Sequence, residues 1–200
     1  MRIQQHHIFW IKVAIHLIAL TYLGVFYYWA FTDNLGADPV KAIIHFTGMG
    51  ALNLLLMTLT VSPVSRYFRQ PALIKIRRLL GLYCFSYATL HFSNYLLFDL
   101  QLAFETLLED IIERPYITVG FTSLLILFAL AITSPKAMQK KLGKHWLSLH
   151  KAIYPCILLV CLHFLWSVKS LNAEPLIYIA LATLLLLFRY KPIQRKLLKK

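Results

Sequence analysis

The sequence predicts an all-α integral membrane bundle of six transmembrane helices with both termini in the cytoplasm. Of its 200 residues 59% are hydrophobic and only 14% are charged, a balance too apolar for a soluble domain. Apolar runs of membrane-spanning length recur along the whole chain and are separated by short polar loops. Lysine and arginine concentrate in alternate loops, as they do in multi-pass membrane proteins. We therefore expect residues 1–200 to form a single transmembrane domain.

The apolar runs define the six predicted spans. They cover about residues 10–31, 42–61, 79–98, 116–133, 146–168 and 175–190. Asp38 is suited to cap the second helix and Pro39 to occupy its first turn. Ser-Pro pairs at 62–63 and 134–135 are expected to end the second and fourth spans, because proline interrupts helical hydrogen bonding. The sixth span is close to the shortest length that crosses a hydrocarbon core of about 30 Å. No internal repeat is evident.

The placement of charge sets the predicted orientation. With the N-terminus inside, the inner segments hold 18 of the 21 Lys and Arg residues, the exceptions being Lys41, Arg114 and Lys169. All eight Asp and Glu residues then lie outside. The net charge of +13 is therefore distributed to orient helices, and it forms no surface of the kind that binds nucleic acid.

Two histidines are predicted to lie at matching depth inside the membrane. His91 is about 18 Å along the third span from Leu79, and His163 is about 20 Å beyond His150 on the fifth. Both spans run from inside to outside, so both imidazoles reach the outer half of the bilayer. Such a pair can bind the two faces of a heme iron within a helix bundle. The alternative is that each histidine only forms a hydrogen bond with a neighbouring helix.

Other groups have less defined expectations. His150, near the cytoplasmic surface, could be an alternative axial ligand, a ligand of a second heme or an interfacial hydrogen-bonding group. Arg77 and Arg78 begin the third span at a similar level and could bind propionates or a flavin phosphate, or could only enforce topology. The cysteines lie within apolar spans without ligand spacing, so we expect Cys84, Cys156 and Cys161 to be small buried hydrophobic residues. The spans contain no acidic residue, which argues against a zinc site or a proton path.

Three segments carry a resemblance to a known family: RRLLGLYCFSYATLH at 77–91, LGKHWLSLHKAIYPCILLVCLHFLWSVK at 142–169 and GADPVKAIIHFTG at 36–48. Together they resemble the MsrQ (YedZ) family, heme-binding inner-membrane subunits of bacterial methionine-sulfoxide reductase systems. The likeness extends over essentially the full chain. A more distant resemblance is to the ferric-reductase-like transmembrane domain of NADPH oxidases and metalloreductases.

The resemblance implies heme b, FMN and electrons from the quinone pool. It implies that the electrons pass to MsrP, a periplasmic molybdopterin enzyme that itself reduces methionine sulfoxide in oxidised proteins. The family's heme histidines correspond to His91, His150 and His163. Where the wider superfamily has a second histidine on the third span, this chain has Arg77 and Arg78, so the resemblance does not extend to a complete second bis-histidine site. The competing functions are a transmembrane metalloreductase and a non-redox six-helix transporter or scaffold.

Overall fold

The computed structural model describes residues 3–168 and 173–189. The regular secondary structure in these two ranges is helical, which confirms the predicted all-α class. The chain divides into two compact units, Met1–Phe104 and Glu105–Lys200. Each unit contains a pair of long helices packed against each other, and these pairs carry the histidines of interest.

The first unit contains three long helices. They are α1 (Gln5–Phe31), α2 (Pro39–Tyr67) and α3 (Ile74–Asn94). A short 3₁₀ turn, Pro71–Leu73, precedes α3, and a π-helical turn, Tyr95–Asp99, follows it. The helices α2 and α3 share the main interface of the unit, in which Leu55, Leu59 and Cys84 are fully buried.

The start of α2 follows the prediction, but its end does not. The Asp38 side chain accepts a hydrogen bond from the Lys41 backbone N–H at 3.0 Å, and Pro39 is the first helical residue. The hydrogen bond from the Lys41 side chain lowers the pKa of Asp38. The expectation that the Ser-Pro pair at 62–63 ends this helix is wrong, because Pro63 lies inside it. A proline removes only one backbone donor, and helices of membrane proteins tolerate that loss.

The second unit contains the remaining helices. In chain order they are α4 (Phe104–Glu113), α5 (Pro115–Ile132), α6 (Lys136–Leu142), α7 (Lys144–Leu149), α8 (Ile153–Ser167) and α9 (Ala173–Arg189). The segments between the predicted third and fourth spans and between the fourth and fifth were expected to be polar loops, but they contain α4 and α6. The main interface joins α5 to α8, and it buries Cys156 and Ile157 completely. All three cysteines are buried thiols, as expected.

The predicted fifth span is interrupted by one tight turn. Its helix runs as α7, then as a 3₁₀ turn at His150–Ala152, and then as α8. Pro155 has no N–H to donate to the carbonyl four residues earlier, which accounts for a break in the α-helical hydrogen bonds at this point. The interruption places His150 on the turn and His163 on the regular helix that follows it.

Four helical segments in the described ranges are long and apolar enough to cross a membrane. They are Gln5–Phe31, Pro39–Tyr67, Pro115–Ile132 and Lys144–Ser167. The chain is therefore a multi-pass membrane protein. The predicted third and sixth spans correspond to α3 and α9, which are not among these four. The sixth was expected to reach Tyr190, which lies outside the described residues.

Candidate functional site

The His91 imidazole is held in a fixed orientation by α2. Its Nδ1 donates a hydrogen bond to the Ile44 carbonyl oxygen at 2.8 Å. The ring lies directly over Gly48, where a Cβ atom would be only 2.9 Å from Nδ1. Because a carbonyl oxygen can only accept, Nδ1 carries the proton, and the lone pair of the neutral ring is on Nε2. The glycine thus gives the ring the space it needs to reach the backbone of α2.

The His163 imidazole is held in the same way by α5. Its Nδ1 donates to the Tyr116 carbonyl oxygen at 2.7 Å. A Cβ atom at Gly120 would be 2.6 Å from Nδ1, so this glycine is also required by the ring. The lone pair is again on Nε2. Histidines that bind metals through Nε2 characteristically donate their Nδ1–H to a carbonyl or carboxylate.

The two arrangements are related by a constant shift of 72 positions in the sequence. Each histidine lies 47 residues after the residue whose carbonyl it contacts, and each carbonyl residue lies four before its glycine. The same shift matches the pairs Ser62-Pro63 with Ser134-Pro135, Cys84 with Cys156, and Phe92 with Phe164. The chain therefore contains an internal repeat, in contrast to the expectation from sequence. It consists of the hairpin of α2 and α3 and that of α5 and α8.

The two copies differ in what surrounds the histidine. In the first unit, Asn94 is 2% exposed, accepts a hydrogen bond from Tyr27 Oη at 2.9 Å and donates to Thr47 Oγ1 at 3.3 Å. Thr47 Oγ1 in turn lies 2.7 Å from the Ile43 carbonyl and 3.1 Å from that of Ile44. The shift of 72 positions places Val119 and Trp166 at the sites of Thr47 and Asn94. Neither can reproduce this network, so the two imidazoles have unequal surroundings.

His150 has the opposite hydrogen-bonding pattern. Its Nε2 lies 3.1 Å from Thr133 Oγ1, and the Trp146 ring stacks on it at a centroid distance of 4.1 Å. The Thr133 hydroxyl donates its single proton to the Ala129 carbonyl at 2.6 Å, so Nε2 of His150 must be the donor toward Thr133. The lone pair of neutral His150 is consequently on Nδ1. Coordination through Nε2 would require this hydrogen bond to break.

Arg77 and Arg78 lie in the first two turns of α3, as expected. Arg77 is half-buried and Arg78 is exposed. The shift of 72 positions relates Arg78 to His150, so the two copies have different basic residues at this position. In the ranges that the structure describes, no group of three or more His, Cys, Asp and Glu side chains could hold a metal ion. The candidate ligands are therefore individual imidazoles.

Comparison with known families identifies the class of protein. The model of the family described as ferric reductase like transmembrane component matches residues 47–161, more than half of the chain. The chain belongs to this family. Membership makes it a ferric-reductase-like transmembrane electron-transfer component, and proteins of this family typically bind heme. The match includes Arg77, Arg78, His91 and His150, and it ends two residues before His163. No solved structure matches the chain.

Sequence reasoning missed the groups that orient the two histidines in this ferric-reductase-like chain. The carbonyls of Ile44 and Tyr116 have no sequence signature, because every residue carries a carbonyl. The glycines do have a signature, because the separation between Gly48 and His91 is the same as that between Gly120 and His163. Small residues such as glycine let another group approach a helix backbone closely, and at Gly48 that group is the His91 ring.

Proposed function

We propose that the protein is a membrane heme b electron-transfer subunit of the MsrQ type. The observation that supports this most directly is the repeated arrangement in which an imidazole lies on a glycine and donates its Nδ1–H to a backbone carbonyl. Histidines with only a structural role need not use the same ring nitrogen or the same kind of hydrogen-bond partner. In both copies the Nδ1–H is donated to a carbonyl, so Nε2 carries the lone pair, and this is the pattern of histidines that bind a metal through Nε2.

In this proposal His91 and His163 would hold heme b. The residues present fit such a group, because each ring is oriented by a backbone carbonyl of its own hairpin and each lone pair is on Nε2. When bound, heme supplies a one-electron Fe(III)/Fe(II) couple. The carbonyls of Ile44 and Tyr116 hold the rings and increase the basicity of Nε2, while Gly48 and Gly120 permit the contact.

We propose secondary roles for the other predicted site residues. Arg77 and Arg78 would bind propionate or phosphate oxygens near the cytoplasmic end of α3. The tautomer described for His150 favours an interfacial hydrogen-bonding role over coordination through Nε2, so we regard it only as an alternative or second-heme ligand. FMN is proposed from the family resemblance alone.

We propose that electrons enter from quinol and leave to the periplasmic molybdopterin methionine-sulfoxide reductase MsrP. The reduction of the sulfoxide then occurs in that partner, and this chain supplies the electrons that support repair of oxidised periplasmic proteins. Quinol is a suitable donor because it reaches the protein from within the lipid bilayer.

An absorption spectrum followed by a reoxidation measurement tests this function. The purified protein in detergent is expected to show a Soret band and, after reduction, sharp α and β bands. Reduced protein in membranes should be reoxidised rapidly when purified MsrP and a methionine sulfoxide substrate are added together. A folded but colourless protein would favour the transporter or scaffold. Reoxidation by ferric or cupric ions, with none by MsrP, would favour the metalloreductase.

We further propose six spans in the bacterial inner membrane with both termini cytoplasmic. The distribution of charge supports this orientation, since the basic residues concentrate in the predicted inner segments. A reporter enzyme fused after Lys200 is expected to be active only in the cytoplasm, and one inserted beside Glu109 only in the periplasm. A C-terminal fusion that is active in the periplasm would mean that one of the six predicted spans does not cross.

A further inference from the structure

The helix α4 has three distinct faces. One packs inward through Leu107, Asp110 and Ile111. The second is a stripe of large apolar side chains that are largely exposed: Phe104 (60%), Leu108 (62%) and Ile112 (80%). The third is a stripe of exposed carboxylates: Glu105, Glu109 and Glu113. Residues four apart lie on the same side of a helix, so each set forms one continuous row.

The helix is fixed to the start of a membrane-spanning helix. Only Arg114 separates α4 from α5, and its Nε pairs with the buried Asp110 carboxylate at 2.9 Å. The Thr118 hydroxyl, in the first turn of α5, donates a hydrogen bond to the Ile111 carbonyl in the last turn of α4. Because α5 has the length and composition of a membrane span that begins at Pro115, we expect α4 to lie at the level of the lipid surface.

The apolar row needs an environment other than water at this level. Removing a Leu, Ile or Phe side chain from water stabilises a protein by about 1.5–3 kcal/mol, so a row of three is costly to leave hydrated. The exposed side of α5 carries Thr118 and Thr122 near α4, and the apolar residues Leu125, Phe128 and Ile132 toward its other end. Because α5 has the length and composition of a membrane span and α4 directly precedes it, lipid is the apolar environment available beside the row.

We propose that α4 is a membrane-surface helix whose row Phe104, Leu108 and Ile112 inserts into the boundary between lipid head groups and acyl chains. Its carboxylate row then faces the head groups and water. Most surface helices have basic polar faces that are attracted to anionic lipids. The polar face of α4 is acidic, so its binding to the lipid surface depends on the apolar area that its other row buries. Its covalent connection to α5 keeps the helix close to the bilayer and so raises its effective concentration there, and a weak affinity is therefore sufficient.

Spin labels attached to introduced cysteines test the placement of the two rows. The full-length protein would carry Leu108→Cys or Ile112→Cys on the apolar row, or Glu109→Cys on the acidic row, in phospholipid vesicles. Labels at 108 and 112 are expected to collide more with oxygen, which concentrates in lipid, than with a water-soluble nickel complex. A label at 109 should show the reverse. The protein without an introduced cysteine is the control, because its three cysteines are buried.

Two outcomes would overturn the proposal. Equal exposure of labels 108 and 109 to the nickel complex would show that both rows face water. Protection of label 108 from both reagents would show that protein covers the apolar row, as a second copy of the chain or a partner would. Neither outcome depends on heme, so the result is independent of the electron-transfer function.

Discussion

Replacing His91 or His163 with alanine is expected to abolish heme binding or reduce it severely. Each substitution removes one of the two imidazoles that we propose as ligands of the heme iron. His150→Ala should retain most of the heme, because the His150 Nε2–H is donated to Thr133. Heme per protein is measured from the pyridine complex of each purified variant.

The matched control for these variants is His145→Ala, which removes an imidazole from an exposed position nearby in the sequence. It should bind as much heme as the wild type. Equal loss of heme in the His91, His150 and His163 variants would contradict the proposed ligand pair and would indicate that His150 also coordinates iron.

Gly120→Ala is expected to displace the His163 ring and weaken heme retention. The added Cβ would be 2.6 Å from Nδ1, and relieving that contact means moving a ring that is hydrogen-bonded to the same helix. Overpacking of this kind costs about 1–3 kcal/mol. Loss of the orienting hydrogen bond should weaken metal binding by roughly 10- to 100-fold. Gly48→Ala should have a smaller effect of the same kind, since its contact distance is 2.9 Å.

Gly24→Ala is the matched control, because a Cβ at this helical position meets nothing within 4 Å. Alanine is the better helix former by about 1 kcal/mol, so propensity alone would make all three substitutions neutral or stabilising. Heme dissociation and thermal unfolding distinguish the two effects. If Gly120→Ala binds heme as tightly as Gly24→Ala, the contact between ring and glycine does not position the ligand.

The helices could be predicted from sequence because their signals are local. Apolar length identified the long helices, four of which have the length and composition to cross a membrane, and the Asp38-Pro39 pair identified the start of α2. A local signal was misleading at Pro63. Proline commonly ends a helix, but α2 continues through this residue. The segment that contains α4 was expected to be a loop because it is acidic. Its apolar residues at every fourth position, Phe104, Leu108 and Ile112, are the signal of a helix.

The candidate ligands could be predicted, but their orientation could not. Depth along a span depends only on residue count, so sequence singled out His91 and His163. Which nitrogen of a ring carries the proton depends on a contact 47 residues away, and sequence gives no direct sign of it. In neutral His150 the proton is on Nε2 instead, and this too depends on a contact distant in sequence, the one with Thr133. The proposed heme ligation by these residues stays a prediction.

The repeated hairpin also bears on how the protein is made. Each imidazole is oriented by a helix that precedes it by fewer than fifty residues, and that helix belongs to the same hairpin. Once the second helix of a hairpin has left the ribosome and entered the bilayer, its histidine has everything needed to adopt the final orientation. Contacts within one hairpin do not need the rest of the chain, and they form sooner than contacts between segments farther apart in sequence. We therefore expect each imidazole to be oriented within its own hairpin before any cofactor binds.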